Sequence, residues 1–279
     1  MLQKKNMVIS IIVIAVIIAG IALYTFTGQN ETSTTTPIEM RTTTTQAEKI
    51  TIDQLRKRVL IYDSLYREFP NDQLLDYIVQ EFKNAGFQVD VYRGRNATLD
   101  PLVAMGEYGI VILRAHGAYN NDESSGKPLG TYIYTGLYLI EAQALYGVNT
   151  INKGLDDGLY APAVIPREGV PVSQLPKYLS VSPKFFKTMA ASLNNTIVFY
   201  TGCFGMNDDR LANVLISKGA YMYIGWDGNV TWVFSDQFLK QWVDALIQYR
   251  DPVQALAAVN STLGTDPDTG AVVKYKVRG

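Results

Sequence analysis

Apolar positions follow three regimes along the chain. Met7 to Phe26 is a run without a charged residue, rich in Ile, Val and Ala, and long enough to span a bilayer as a helix. Residues 27–47 are polar and crowded with threonine (Thr32, Thr34 to Thr36, Thr42 to Thr45). Beyond them, short apolar runs alternate with segments of helical period. Arg58 to Asp63 reads as a strand. Asn71 or Asp72 then caps a helix with Leu74, Ile78, Phe82 and Ala85 on one face, closed by Gly86. Gln88 to Tyr92 and Gly109 to Ala115 are further strands. Ser182-Pro183 opens a helix with Phe185, Phe186, Met189 and Leu193 inward, and the apolar run Thr196 to Tyr200 leads to Gly202. A helix over Asp208 to Lys218, a strand over Ala220 to Gly225, and helices opened by Ser235 and by Asp251-Pro252 follow. Val272 to Val277 alternates as a closing edge strand. Strands separated by helices imply an α/β fold with a mostly parallel sheet covered on both faces.

The same pattern divides the chain. Residues 1–6 form a short cytoplasmic N-terminus, since Lys4 and Lys5 precede the apolar run. Residues 7–26 form a signal anchor, with a cleaved signal peptide ending near Gly20-Ile21-Ala22 as the rival reading. Residues 27–47 form a flexible stalk open to O-glycosylation, and 48–279 a single α/β domain on the extracytoplasmic side. Within that domain the strand–helix rhythm breaks over 118–181. This stretch is rich in Tyr, Gly and Pro, with a hairpin expected around Thr131 to Ile140, and reads as a loop insertion acting as lid or substrate wall. N-glycosylation sequons begin at Asn30, Asn96, Asn194, Asn229 and Asn260.

Composition narrows the function. The 279 residues carry a formal net charge of −1, and no Lys/Arg cluster offers a face to nucleic acid. One cysteine and one histidine exclude an internal disulfide and a zinc site of the usual N/S type. No phosphate-binding glycine loop is present, so neither metal nor cofactor is expected. Asp266-Pro267-Asp268-Thr269-Gly270 opens like a calcium loop, but Val277 stands where the closing glutamate belongs, so the stretch reads as a turn.

The candidate chemistry lies at two strand ends. Tyr108 to Gly117 is an apolar strand ending in the only histidine, His116; Thr196 to Gly205 is another, ending in the only cysteine, Cys203. The carboxyl edge of an open α/β sheet is where such folds place their sites. A thiol nucleophile needs a base within reach, and an exported domain with one unpaired cysteine needs a reason to keep it. Cys203 would attack a carbonyl carbon, His116 would move the proton, and the backbone N–H groups of Gly117 and Cys203 would hold the oxyanion. A protonated His116 beside the thiol would stabilise the thiolate, so this reading expects Cys203 to react below its ordinary pKa. The bland alternative is a buried cysteine and a turn histidine.

The two motifs, Ile110-Val111-Ile112-Leu113-Arg114-Ala115-His116-Gly117 and Ile197-Val198-Phe199-Tyr200-Thr201-Gly202-Cys203, resemble those of the caspase-like clan of cysteine peptidases. Leu211 to Ala220 running into Ile224-Gly225-Trp226 is similar to the clostripain and gingipain side of that clan. The resemblance spans Arg58 to Tyr249 in element order. It implies a three-layer caspase-like sandwich, peptide-bond hydrolysis through a thioester by His116 and Cys203, and peptide or protein substrates. Thr201 departs from the acidic residue that metacaspases and clostripain carry two positions before the cysteine. Asp227 or Asp63 are the residues that could supply a charge for a basic substrate side chain instead, and Gly225 and Trp226 could wall the substrate backbone. Lys127, Lys153 and Arg167 are conceivable autocleavage positions. A pseudoenzyme of the same fold, or a cell-surface binding domain, is the alternative function.

Overall fold

The computed structural model describes residues 49–122 and 124–279; the anchor at 7–26 and the stalk at 27–47 lie outside the described residues. Among the described residues no helix is long and apolar enough to cross a membrane.

The fold is α/β. Five parallel strands, β1 (Arg58–Asp63), β2 (Gln88–Arg93), β3 (Ile110–Arg114), β8 (Ile197–Tyr200) and β9 (Met222–Trp226), are joined by an antiparallel edge strand, β10 (Val273–Val277), in the order β10-β9-β8-β3-β1-β2. Side chains alternate across each strand, so the sheet feeds two cores. Val59, Ile61, Ile112 and Phe199 point to one face, where α1 (Asp72–Asn84), α7 (Trp232–Tyr249) and α8 (Pro252–Leu263) contribute Ile78, Phe238, Trp242 and Leu256. Leu60, Tyr62, Leu113 and Tyr200 point to the other, against α2 (Leu99–Val103), α5 (Pro183–Thr188) and α6 (Arg210–Ser217).

Local sequence accounts for most boundaries. Asn71 is the cap of α1, its Oδ1 accepting from Leu74 N at 3.1 Å, and Gly86 leaves the helix at φ +84°. Ser182 caps α5 ahead of Pro183, and Asp251 caps α8 ahead of Pro252 by accepting from Val253 and Gln254.

The segment 118–181 differs from the expected loop. It is a second, antiparallel sheet in the order β4-β5-β7-β6: β4 (Gly117–Asn121), β5 (Pro128–Tyr138), β6 (Tyr160–Ala163) and β7 (Tyr178–Val181). Helices α3 (Leu139–Tyr146) and α4 (Val148–Asp156) sit between β5 and β6. Ile133, Leu179 and Val181 enter the second core. The hairpin expected over Thr131 to Ile140 is instead one long strand. Gly136 suggests a turn there, but its role is close approach: a Cβ would stand 1.7 Å from the Gly94 carbonyl oxygen. β4 and β5 are instead linked past their ends by Asp122 N, which donates to Lys127 O at 2.8 Å.

Candidate active site

β3 and β8 are hydrogen-bonded neighbours, and their register pairs Leu113 with Tyr200. His116 and Cys203 each follow by three residues, so the two chains leave the sheet side by side and both line one cavity of about 310 Å³. The glycines flanking the site are fixed by that proximity. A Cβ on Gly117 would lie 1.9 Å from the Tyr200 hydroxyl and 2.7 Å from Cys203 O; one on Gly202 would lie 2.0 Å from Ala115 O. Gly205 faces the backbone of Gly225, with a Cβ placed 3.1 Å from its Cα. These glycines let two backbones meet rather than admit a substrate.

The turn that carries Cys203 is strained and clamped. Phe204, directly after the cysteine, has φ +62°, a left-handed conformation that costs a bulky residue roughly 1–3 kcal/mol. Three bonds hold it: Phe204 N donates to Gly228 O at 2.8 Å, while Phe204 O accepts from Asn207 N at 3.1 Å and from Thr131 Oγ1 of β5 at 2.6 Å. The Cys203 N–H donates to no other residue among the described residues. Cys203 Sγ lies 3.5 Å from Val230 N and 3.6 Å from Val230 O.

His116 is positioned by the second sheet. Its carbonyl accepts from Tyr134 N at 3.0 Å, and its ring lies 6.0 Å from those of Phe69 and Tyr134. Because that bond precedes the Gly117–Ile133 pair, the pair is a non-hydrogen-bonded one and the Gly117 N–H turns away from β5. The His116 Nε2 atom is buried without a partner.

Burial sets the charge state. It pushes the Cys203 thiol above its ordinary value, against the opposing pull of the Val230 amide. Burial first, and the Arg114 guanidinium second, lower His116 to about 4. The resting pair is therefore a neutral thiol and a neutral imidazole. This corrects the expectation of a thiolate stabilised by a protonated histidine. The sequence signal was there: Arg114, two residues before His116, is a cation that opposes a second positive charge.

Arg114 is fully buried and its donors are spent. Nε and Nη2 bind the two oxygens of Asp236 at 2.7 and 2.8 Å, Nη1 binds both oxygens of Asp63 at 2.9 and 3.1 Å, and Nη2 also reaches Phe69 O at 3.0 Å. Asp63, considered above for a substrate charge, is thus a buried partner of Arg114 that also accepts from Tyr66 N. It does not line the cavity. Trp226 is buried too, packed on Phe234 and Phe238 with Nε1 donating to Ser235 Oγ at 3.1 Å; it is core, not a substrate wall. Asp227 accepts from Val272 N at 2.8 Å and pairs with Lys274 at 3.1 Å, away from the cavity. The structure brings together His116, Cys203 and Gly117 and leaves those three elsewhere.

Two supporting residues escaped the sequence reading. Ser235 Oγ donates to Thr201 O at 2.7 Å, tying α7 to the segment that follows β8. Asp266, in the turn discounted for calcium, accepts from Thr231 N and from Asp268 N, fixing the segment whose Val230 contacts the thiol. A buried carboxylate seven residues before the start of β10 has no local pattern that announces this. Among the described residues no group of three or more His, Cys, Asp or Glu could hold a metal ion.

No protein-family model matches the sequence, and no curated protein matches it.

Proposed function

We propose that this chain is a cysteine peptidase of the caspase-like type, with a three-layer α/β/α domain. The observation that carries the reading is the shared cavity of His116 and Cys203 at the carboxyl edge of adjacent parallel strands, with an unpartnered His116 Nε2 and a half-buried thiol. Two helix-covered faces of one sheet, and a chain order of histidine before cysteine, support the clan.

The neutral pair dictates the mechanism. A peptide carbonyl enters with its oxygen toward the N–H groups of Gly117 and Cys203. His116 Nε2 removes the Cys203 proton as sulfur attacks the carbonyl carbon, so the thiolate forms during attack rather than before it. The tetrahedral intermediate collapses with cleavage of the C–N bond, and His116 returns the proton to the leaving amine. A water, deprotonated by His116, then hydrolyses the thioester, releasing the acid and restoring the thiol.

An apolar run and a polar stalk ahead of the domain support a single-pass protein with the catalytic domain on the extracytoplasmic side. The same burial that keeps the pair neutral also suits a pseudoenzyme that only binds peptides. Incubating the full chain with an unfolded protein substrate separates the two. Cleavage by the wild type that vanishes in both Cys203→Ala and His116→Ala supports the peptidase. Cleavage by none of the three, with peptide binding retained, assigns the site to a binding protein.

A further inference from the structure

We propose that the cavity beside Cys203 selects a large apolar side chain, aromatic or branched aliphatic, on the residue whose carbonyl is attacked. This rests on the peptidase reading and names its substrate class. The substituent next to an attacked carbonyl must enter the space adjoining the nucleophile, and that space is the 310 Å³ cavity, large enough for one bulky side chain. Three segments build its walls: Leu65 and Phe69 after β1, Thr201 before the nucleophile, and Val230 after β9 with Trp232 at the start of α7; Ile165 closes it from the β6–β7 segment. Phe69 and Trp232 stack at 4.9 Å and 20°, making a flat aromatic wall.

Among the described residues no free charge lines this space. Asp236 is the one carboxylate lining it, and both its oxygens are taken, Oδ1 by Arg114 and Oδ2 by Arg114 and Asn71. Arg114 in turn is saturated by Asp63, Asp236 and Phe69 O. A lysine or arginine side chain entering here would lose water without gaining an acceptor, and an acidic one would meet Asp236. Thr201, where an acid would create a basic-residue pocket, is neutral and nearly buried, its hydroxyl turned to Leu113 O at 3.4 Å. An apolar side chain covers the aromatic wall and leaves every buried charge paired.

The test is a series of fluorogenic peptides, identical except for Phe, Leu, Ala, Arg, Lys or Asp before the scissile bond, cleaved by the full chain. Phe and Leu should exceed Ala by at least ~10-fold in kcat/KM, the discrimination apolar pockets give, and should exceed Arg, Lys and Asp by more. Trp232 is 43% exposed, so Trp232→Ala leaves the core intact and should lower the Phe-to-Ala ratio toward one. Cys203-dependent cleavage that is fastest after Arg, Lys or Asp, or a Phe-to-Ala ratio untouched by Trp232→Ala, overturns the inference alone. Absence of Cys203-dependent cleavage across the series overturns the peptidase reading and the inference together.

Discussion

His116 and Cys203 each stand three residues past the last register pair of two neighbouring parallel strands: the offset of 87 that pairs Leu113 with Tyr200 also separates the histidine from the cysteine. The sheet therefore delivers both chain segments to one edge. What lies between them in sequence, the second sheet with its helices, acts back on the pair, through Tyr134 N on His116 O and Thr131 Oγ1 on Phe204 O.

The close passage of the two strand ends makes their glycines irreplaceable. Gly117→Ala and Gly202→Ala each force a methyl group onto the Tyr200 hydroxyl or the Ala115 carbonyl. Overpacking of this kind costs about 1–3 kcal/mol. Both variants should fold with lower denaturation midpoints and show at least ~100-fold lower hydrolysis, since a small shift of reacting groups is costly. Urea melts alongside steady-state rates measure the two effects separately.

Arg114→Met removes the cation that pairs two buried carboxylates, and loss of one partner from such a cluster costs roughly 3–5 kcal/mol. Burial already raises Asp63 to about 6 despite the opposing pull of Arg114. Without Arg114 it rises further, so the folded variant binds a proton that the unfolded chain, with an ordinary carboxyl, releases. Stability of the variant should therefore improve as pH falls from 7 toward 5. Urea midpoints at the two pH values, compared with wild type, report this.

Asp266→Ala strips acceptors from Thr231 N and Asp268 N. Losing charge-assisted bonds of this sort costs about 1.5–3 kcal/mol, and here it also loosens Val230 beside the sulfur. Hydrolysis should fall more steeply than stability. Calcium should change neither in wild type, because Asp266 is spent on backbone amides.

His116 also sets a pH limit on the fold. Its folded pKa of about 4 lies below its ordinary 6.5, so between these values the unfolded chain binds more protons. Stability is intact above about 6.5 and is lost as pH falls through 4, by up to about 3 kcal/mol at roughly 1.4 kcal/mol per pH unit. His116→Gln should flatten this dependence in thermal melts from pH 7 to 4. In wild type at pH 7 the resting thiol should be alkylated by iodoacetamide more slowly than free cysteine, since burial raises its pKa.

Much of this was legible in the sequence, for physical reasons that differ by element. The core strands and α1, α5 and α8 announce themselves through period and caps, as Asn71, Ser182 and Asp251 show. His116 and Cys203 were found because each is unique and each ends an apolar run. Long-range partners were not legible. Nothing local tells that Asp63 meets Arg114 and that α7 supplies Asp236, or that Trp226 turns into the core. The second sheet was hidden because Gly136 and the tyrosines of 131–138 look alike in a turn and at a close crossing.

The most direct test of the central claim is intact-mass and peptide-map analysis of the full chain after exposure to a peptidyl acyloxymethyl ketone with phenylalanine at its reactive end. One adduct is expected, on Cys203, formed by wild type and almost abolished in His116→Ala, although iodoacetamide alkylates both proteins slowly and alike. Equal labelling of wild type and His116→Ala by the ketone, or no adduct on Cys203, would contradict it.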